Sequence, residues 1–237
     1  MPPPKALPDQ VSVQPITPTQ LPAYRRLITL LLPIRYPDKF YKDSVAIEGP
    51  SSLALCALWH EPARPRQVVN GLSTGRPATS EGTPSLPYDR VVAGIQCRLE
   101  SVPSPINASK PEQTLYIQTL ATLAPYRSYG IAGALLDTAI MTAITHYEGV
   151  KEIYAHVWEA NEEALEWYGK RGFVVESEVV EGYYRKLRPS GAKVVRRWVG
   201  VGDYLKARDT LGRKEETEDA IAGGDGTGIA VRKVQNG

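Results

Sequence analysis

The chain has 237 residues, of which 42% are hydrophobic and 23% charged, and its net charge is +2. This composition is typical of a soluble globular protein, and the length allows one domain with a sizeable core. No apolar run reaches the roughly 18 residues of a membrane span, and the first ten residues lack the features of a signal or transit peptide. The only cysteines, Cys56 and Cys97, are too few for a disulfide scaffold or a metal cage. We therefore expect a cytoplasmic protein that holds no metal.

Charge is distributed unevenly along the chain. Residues 185–214 contain ten Lys and Arg residues, opposed only by Asp203 and Asp209, so this stretch carries +8 by count. A basic segment of this kind favours a polyanionic neighbour such as ribosomal RNA. A solvated, partly disordered tail is the alternative, and the sequence leaves both open.

The N-terminal half begins with a proline-rich extension at 1–11, which lacks helical periodicity up to about residue 16. A helix is predicted to begin between Thr17 and Pro22 and to end at Pro33, because the residue before a proline is pushed out of the helical region. Strands are predicted over Leu53–Trp59 and around Val91–Leu99. Between them, residues 60–90 contain many prolines and glycines, which indicates a long β-hairpin insertion. The predicted buried face of the helix consists of Tyr24, Leu27, Ile28 and Leu31.

The C-terminal half alternates strands and helices. Strands are predicted over Thr114–Leu123 and Glu152–Trp158. A helix with Ala132, Leu136, Ala139, Ile140 and Ala143 on its buried face lies between them, and a second helix, capped by Asn161, runs through Lys170. Phe173–Val180 and Tyr183–Leu187 are predicted to pair as strands. The order indicates an α/β fold with a mixed central sheet flanked by helices, occupying 12–190 and followed by a basic, then flexible extension at 191–237.

One short motif carries a chemical signal. The residues from Arg127 to Ala132, R-S-Y-G-I-A, lie between a predicted strand and the N-terminus of a predicted helix. Small residues there let backbone N–H groups approach an anion, and the helix dipole adds to the attraction, so the turn is expected to bind a pyrophosphate. It lacks the G-K-[ST] of a nucleotide-triphosphate loop and the G-x-G-x-x-G of a Rossmann turn. The glycine-rich run at 223–228 has no periodic neighbours and is interpreted as a flexible link.

The motif resembles the Q/R-x-x-G-x-G/A signature of the GNAT acetyltransferase superfamily. Longer stretches are similar to its N-terminal (N-alpha) acetyltransferases, and in particular to the branch of the NatE catalytic subunit. They are L-P-I-R-Y-P-D-K-F-Y-K-D (32–43), L-Y-I-Q-T-L (115–120), L-A-P-Y-R-S-Y-G-I-A (123–132), the segment 153–173 and Y-Y-R-K-L (183–187). The resemblance covers residues 12–190, apart from the insertion, and implies the GNAT fold.

The resemblance also implies roles for individual residues. Acetyl-CoA is the expected cosubstrate, and the amine is expected to attack it directly in a ternary complex. Tyr116 and His156 are expected to act as general base through an ordered water, and Tyr168 is a candidate acid for the leaving thiolate. For these three residues, ordinary packing of half-buried side chains is the alternative. The coenzyme-binding residues implied are Leu120, Arg127, Ser128, Gly130, Ile131, Ala132, Asn161 and Tyr168.

The implied substrate is the N-terminus of a nascent or finished protein, preferably Met followed by an apolar residue. Leu32 stands where the relatives commonly carry Phe, and Gln118 where they carry Met, which leaves the exact preference open. The implied substrate-binding residues are Leu32, Pro33, Ile34, Tyr36, Gln118, Tyr183, Tyr184 and Leu187. The alternatives are a GNAT enzyme for lysines or small amines, and a weakly active ribosome-associated subunit. Docking into the NatA complex also stays open, because the insertion and the tail could block it.

Overall fold

The computed structural model describes residues 6–47, 49–61, 88–103 and 111–207. The chain divides into two compact units, Met1–Val199 and Gly200–Gly237. In the second unit, the described residues include a helix over 201–207. The first unit contains the sheet and the candidate site. Among the described helices, none is long and apolar enough to cross a membrane.

The first unit is built on a mixed sheet with strand order β1-β2-β3-β4-β5-β7-β6. Neighbouring strands are antiparallel except β4 and β5, which run parallel. The strands are β1 (Val11–Pro15), β2 (Ala54–Glu61), β3 (Tyr88–Val102), β4 (Glu112–Thr122), β5 (Val150–Trp158), β6 (Val174–Val180) and β7 (Ala192–Trp198). The helices are α1 (Leu21–Leu31), α2 (Asp38–Asp43), α3 (Ile131–His146) and α4 (Glu162–Gly169).

Helices cover both faces of the sheet and define two apolar clusters. On one face, the apolar side of α3 packs on strand residues such as Ile95, Leu115 and Ile153. On the other face, Tyr24 and Ile28 of α1 pack with the aromatic side chains of α2. Burial of these side chains away from water is the main stabilising contribution to the fold.

Several sequence predictions are confirmed. The mixed sheet and the GNAT arrangement of helices are present, and α1 begins and ends inside the predicted limits. Asn161 caps α4, because its side chain accepts a hydrogen bond from the Ala164 N–H at 3.2 Å. Gly172 has a φ of +80°, as expected for a residue that follows a helix C-terminus.

The C-terminal boundary of the sheet differs from the prediction. Tyr183–Leu187 forms turns instead of a strand, and the partner of β6 is β7, which lies inside the predicted extension at 191–237. The segment A-K-V-V-R-R-W carries three cations, which is why its sequence predicts a basic extension and not a strand. Its cations are accommodated at the sheet surface, where Arg196 pairs with Glu152 and Glu176. The boundary at residue 190 is therefore wrong, since the sheet continues to Trp198.

Two elements at the N-terminal side were also missed. Strand β1 pairs with β2 and lies within the first 16 residues, which are predicted to form a proline-rich extension without helical periodicity. Helix α2 lies in the stretch 32–43, for which the sequence predicts no helix or strand. Strands β2 and β3 pair as a hairpin on either side of the predicted insertion at 60–90, of which residues 62–87 lie outside the described residues.

Candidate active site

The parallel strands β4 and β5 separate at one end and form a cleft. Their pairing ends at Ile117 and Ala155, although β4 continues to Thr122 and β5 to Trp158. Backbone N–H and C=O groups beyond the last pair therefore face the space between the strands, and the side chains there point to one face of the sheet or the other. This opening is the position at which the sheet can admit a ligand from either side.

A β-bulge at Gln118 contributes to the separation. The register of β3 with β4 shifts between Gln96 and Cys97, which leaves Gln118 without an opposite residue. A bulge bends its strand and increases the local twist. The Tyr36 hydroxyl donates a hydrogen bond to the Gln118 carbonyl oxygen at 3.2 Å, so the bulge is held by the loop between α1 and α2.

The cleft has a volume of about 480 Å³, which lies in the range of small-molecule sites. It is lined by the end of α1 and the loop that follows, by β4, β5 and α4, and by the loop between β6 and β7. The sequence-predicted site residues that line it are Leu32, Pro33, Ile34, Tyr36, Gln118, Leu120, His156, Asn161, Tyr168, Tyr184 and Leu187.

Tyr116 and His156 lie together in a cluster of aromatic rings next to this cleft. Their ring centroids are 5.6 Å apart. The Tyr183 ring stacks on His156 with centroids 4.4 Å apart, and the Tyr183 hydroxyl lies 2.8 Å from that of Tyr116. The Tyr184 hydroxyl donates to the His156 carbonyl oxygen at 3.1 Å. The loop between β6 and β7 therefore fixes both side chains, although it does not form the strand that the sequence predicted.

The environment of His156 favours its neutral form. Burial lowers the pKa of His156, because the charged imidazolium is poorly solvated there. Its Nδ1 atom is buried and has no hydrogen-bond partner among the described residues. Burial raises the pKa of Tyr116, and its hydrogen bond with Tyr183 acts in the same direction. The pair thus consists of a neutral imidazole and a protonated phenol at neutral pH.

The turn before α3 has the geometry of an anion site. Ser128 and Gly130 have φ values of +64° and +84°, and such alternation of backbone conformation makes adjacent N–H groups converge. Gly130 also precedes the first turn of α3, where N–H groups lack intrahelical acceptors. Arg127 is exposed beside it, whereas the side chain of Ile131 is buried, so Ile131 can contribute only its backbone.

Tyr168 and Asn161 place α4 along one wall of the cleft. Tyr168 is 6% exposed and still lines the cavity. Burial raises the pKa of its hydroxyl, so this group remains a hydrogen-bond donor. The capping role of Asn161 occupies its side-chain oxygen.

Tyr154 and Glu100, for which the sequence predicts no role, lie next to the Tyr116–His156 pair. The Tyr154 ring stacks on Tyr116 with centroids 4.7 Å apart, and its hydroxyl donates to Glu100 Oε2 at 2.5 Å. Tyr154 carried a signal, since it alternates onto the same face of β5 as His156. Glu100 carried no such signal in the sequence, because its contact with Tyr154 depends on the register between β3, β4 and β5.

A second cavity of about 570 Å³ adjoins the first on the side of β3. Both cavities are lined by Tyr36 and Gln118. The hydrogen bond between these two residues therefore lies on the partition between the cavities.

Comparison with known proteins gives concordant results. The profile of the Acetyltransferase (GNAT) family matches residues 73–173. N-alpha-acetyltransferase 50 of Danio rerio is 28% identical over 189 residues, which cover 79% of this chain and 88% of that protein. The probable N-acetyltransferase san of Drosophila melanogaster is 27% identical over 182 residues, 77% of each protein.

Solved structures agree with these sequence matches. Arabidopsis thaliana Naa50, in complex with the bisubstrate analogue CoA-Ac-MVNAL, superposes with a TM-score of 0.56 at 28% identity, covering 79% of this chain and 98% of that one. Arabidopsis thaliana NAA60 superposes with a TM-score of 0.57 at 18% identity, covering 80% of this chain and 99% of that one, which shows a shared fold. Together with the divergent parallel strands and the turn before α3, these matches show that the chain has the GNAT acetyltransferase fold and resembles the N-alpha-acetyltransferase 50 branch of that family.

Proposed function

We propose that this protein transfers the acetyl group of acetyl-CoA to the N-terminal amine of proteins, preferably those that begin with Met followed by an apolar residue. The observation that carries the proposal is the cleft between β4 and β5. His156 lines it and Tyr116 lies beside His156, and its walls include the Leu32–Tyr36 loop and Tyr184. The relatives named N-alpha-acetyltransferase 50 and Naa50 support the same reaction.

The residues present fit acetyl-CoA, which supplies an acetyl group activated as a thioester. The turn at Arg127–Ala132 offers converging N–H groups and a cation for the pyrophosphate. Leu120, Asn161 and Tyr168 line the cleft on the side of α4. The analogue bound to Arabidopsis Naa50 contains a CoA portion joined through an acetyl group to a peptide, which agrees with one cleft for both substrates.

The role proposed for Tyr116 and His156 is to accept the proton of the attacking amine through a water. An α-amine has a pKa of about 7.7–8.0, so a weak base suffices to keep it neutral. Neutral His156 can accept this proton, while the Tyr116 hydroxyl orients the water or the amine. The amine nitrogen then bonds to the acetyl carbon, the carbon–sulfur bond breaks and the thiolate leaves.

Tyr168 is better suited to stabilise the leaving thiolate than to protonate it. A thiol has a pKa near 8.5, and burial raises the pKa of Tyr168 above the ordinary value for tyrosine. Complete proton transfer from Tyr168 to the thiolate is therefore uphill. A hydrogen bond from its hydroxyl favours the developing negative charge without that transfer.

Substrate selectivity is assigned to the walls of the cleft. Leu32 and Ile34 offer apolar surface for the first side chain, and burying a Met side chain contributes roughly 1.5–3 kcal/mol. Tyrosine hydroxyls can hydrogen-bond the first peptide groups. An internal lysine brings its amine on a four-carbon stem with backbone on both sides, so the same contacts fall out of register.

The test compares two peptides that differ only at the N-terminus and at one internal position. One has a free N-terminal Met-Leu and no lysine, and the other has a blocked N-terminus and an internal lysine. We expect α-acetylation of the first to be at least about tenfold faster, from the burial energy of the Met side chain, as measured by mass spectrometry of the products. Equal or faster lysine labelling would favour the lysine-acetyltransferase alternative.

A further inference from the structure

Tyr116 lies in a row of four side chains that crosses four strands. The register places Arg98 of β3 opposite Tyr116 of β4, Tyr116 opposite Tyr154 of β5, and Tyr154 opposite Arg196 of β7. Residues in such a row share one face of the sheet and contact each other across the strands. The two tyrosine rings are stacked with 20° between their planes. Arg98 lies 5.1 Å from the Tyr116 ring centroid, and Arg196 lies 5.4 Å from that of Tyr154.

Glu100 joins this row at two points. Its Oε1 accepts hydrogen bonds from the Arg98 guanidinium, with Nε at 2.9 Å, and its Oε2 accepts the hydroxyl of Tyr154 at 2.5 Å. Arg98 and Tyr154 are the two members of the row that flank Tyr116 in the register. The Glu100 side chain is 30% exposed, so both contacts are partly protected from water.

The position of the Tyr116 ring determines where its hydroxyl lies. One contact of this hydroxyl is Tyr183, at 2.8 Å, and the ring rests on Tyr154. A phenol that assists proton transfer must lie within hydrogen-bond reach of the reacting group, and a displacement of about 1 Å can reduce a rate about 100-fold. Fixing Tyr154 and Arg98 therefore has a direct consequence for catalysis.

We propose that Glu100 is a positioning residue for acetyl transfer, which fixes Tyr154 and Arg98 and thereby holds the Tyr116 hydroxyl at the reacting amine. The inference rests on the proposed function of the cleft. It adds Glu100 and Tyr154 to the residues that determine turnover, although neither lines the cleft.

Two variants test the contacts of Glu100, one by removing only the contact with the Tyr154 hydroxyl and the other by removing the contacts with both Tyr154 and Arg98. Tyr154→Phe keeps the ring and removes the hydroxyl, and we expect kcat to fall about tenfold while KM for acetyl-CoA is unchanged. Glu100→Leu removes both contacts, and we expect a fall at least as large. Tyr154→Phe removes only the contact with Glu100, which Glu100→Leu already removes. The double variant is therefore expected to be no slower than Glu100→Leu. The matched control is Glu61→Gln, a carboxylate on β2 that pairs with Arg90, which is expected to keep the wild-type kcat.

The pH profile gives a readout that a merely structural role would not change. The charged groups around His156 are Glu100 and Arg98 on β3, Glu152 on β5, Glu176 on β6 and Arg196 on β7, and the neighbouring phenols are Tyr116, Tyr154, Tyr183 and Tyr184. The negative charge of Glu100 raises the pKa of His156, opposing the effect of burial. Glu100→Gln is therefore expected to move the acidic limb of kcat to lower pH, and Tyr154→Phe to leave it in place.

Titration of the histidine ring protons by NMR tests the same charge effect without substrate. The chain has three histidines, and His156→Ala assigns the signal of His156. Glu100→Gln is expected to lower the pKa of His156 in this titration. A wild-type kcat in Tyr154→Phe, or additive losses in the double variant, would overturn the positioning role. A wild-type chain that does not acetylate the Met-Leu peptide would instead contradict the proposed function.

Discussion

His156 combines half-burial with contacts on several sides. Tyr183 stacks on its ring and Tyr184 binds its carbonyl oxygen. Desolvation is the largest effect on its pKa, and the neighbouring carboxylates only partly oppose it. This environment disfavours the imidazolium and keeps the ring in the form that can accept a proton.

The roles of Tyr116 and His156 are tested by substitution. We expect Tyr116→Phe and His156→Ala each to reduce kcat by about 10²–10⁴-fold, which is the usual contribution of general acid–base catalysis. Binding of acetyl-CoA, measured by calorimetry, is expected to be unchanged because its proposed contacts lie on the turn before α3 and on α4. Near-normal turnover in both variants would contradict the assignment.

The lowered pKa of His156 also predicts the pH dependence of turnover. His156 acts as a base only when neutral, so activity is lost as pH falls through its pKa. Since burial lowers that pKa from its ordinary value near 6.5, the acidic limb of kcat is expected below about pH 6.5. The profile should be measured at saturating peptide, because the substrate amine, with a pKa near 7.7–8.0, contributes its own limb to kcat/KM. A limb above pH 6.5 that persists in His156→Ala would show that another group is titrating.

The sequence indicated some residues of the site and not others. Tyr116 and His156 alternate onto one face of their strands, and the resemblance gave them roles. Glu100 and Arg196 could not be found in this way, because they reach Tyr154 through the register of four strands. Strand register depends on the whole sheet, and a local sequence pattern does not specify which residues of distant strands lie opposite each other.

Close packing of α1 on β3 is an element-scale feature that the sequence did not show. A Cβ atom on Gly94 would lie 2.6 Å from Cε2 of Tyr24 and 3.3 Å from the Leu55 carbonyl oxygen. The Tyr24 ring cannot easily move aside, because it is fully buried and its hydroxyl contacts Thr119 at 3.0 Å. The side chain of Gly94 is therefore limited to hydrogen.

This packing predicts opposite effects for two glycine substitutions. Gly94→Ala is expected to lower the free energy of unfolding by about 1–3 kcal/mol, as overpacking does in a dense core. Gly169→Ala is the matched control, since its Cβ would meet no atom within 4 Å. It is expected to be neutral or to stabilise by about 0.4–1 kcal/mol, because alanine reduces the entropy of the unfolded chain. Urea denaturation of both variants measures the difference, and equal effects would contradict the packing argument.

Elements were predicted well where the chain carries strong local signals. Helices α1 and α4 have apolar residues at helical spacing together with a proline or a capping residue at the N-terminus, and α3 begins directly after Gly130 of the R-S-Y-G-I-A motif. Strand β7 was missed because its apolar residues are interrupted by cations, one of which, Arg196, pairs with carboxylates on β5 and β6. Helix α2 has six residues, which is too short for a helical period to be recognised.

At the scale of the whole molecule, β7 changes the interpretation of the basic segment. Its central part belongs to the sheet, and two carboxylates pair with Arg196. Residues 208–214, which hold three of the ten cations, lie outside the described residues. The segment is therefore partly structural, and a contact with ribosomal RNA stays a proposal for the cations beyond the sheet.

Two truncated chains test which part of the basic segment belongs to the sheet and which part is available to bind RNA. A chain that ends at Pro189 lacks β7, so β6 loses its partner and β5 one of its neighbours, and we expect it to be unfolded and inactive. A chain that ends at Val199 keeps the first compact unit and is expected to keep peptide acetylation. If the cations beyond the sheet bind RNA, this second truncation should lose the salt-sensitive part of ribosome pelleting. Unchanged pelleting would show that the segment is only a solvated extension.

The position of β7 also imposes an order on folding during synthesis. It is the last strand of the sheet in the chain and yet it lies between β5 and β6. Until residues 192–198 have been made, β5 exposes an unpaired edge, and an open edge of this kind can pair with other chains. Pairing of β7 with β5, which also brings β6 onto the sheet because β6 pairs with β7, is therefore expected to be a late, long-range step of folding. Because Arg196 on this strand completes the row that holds Tyr154, activity is expected to appear only after that step.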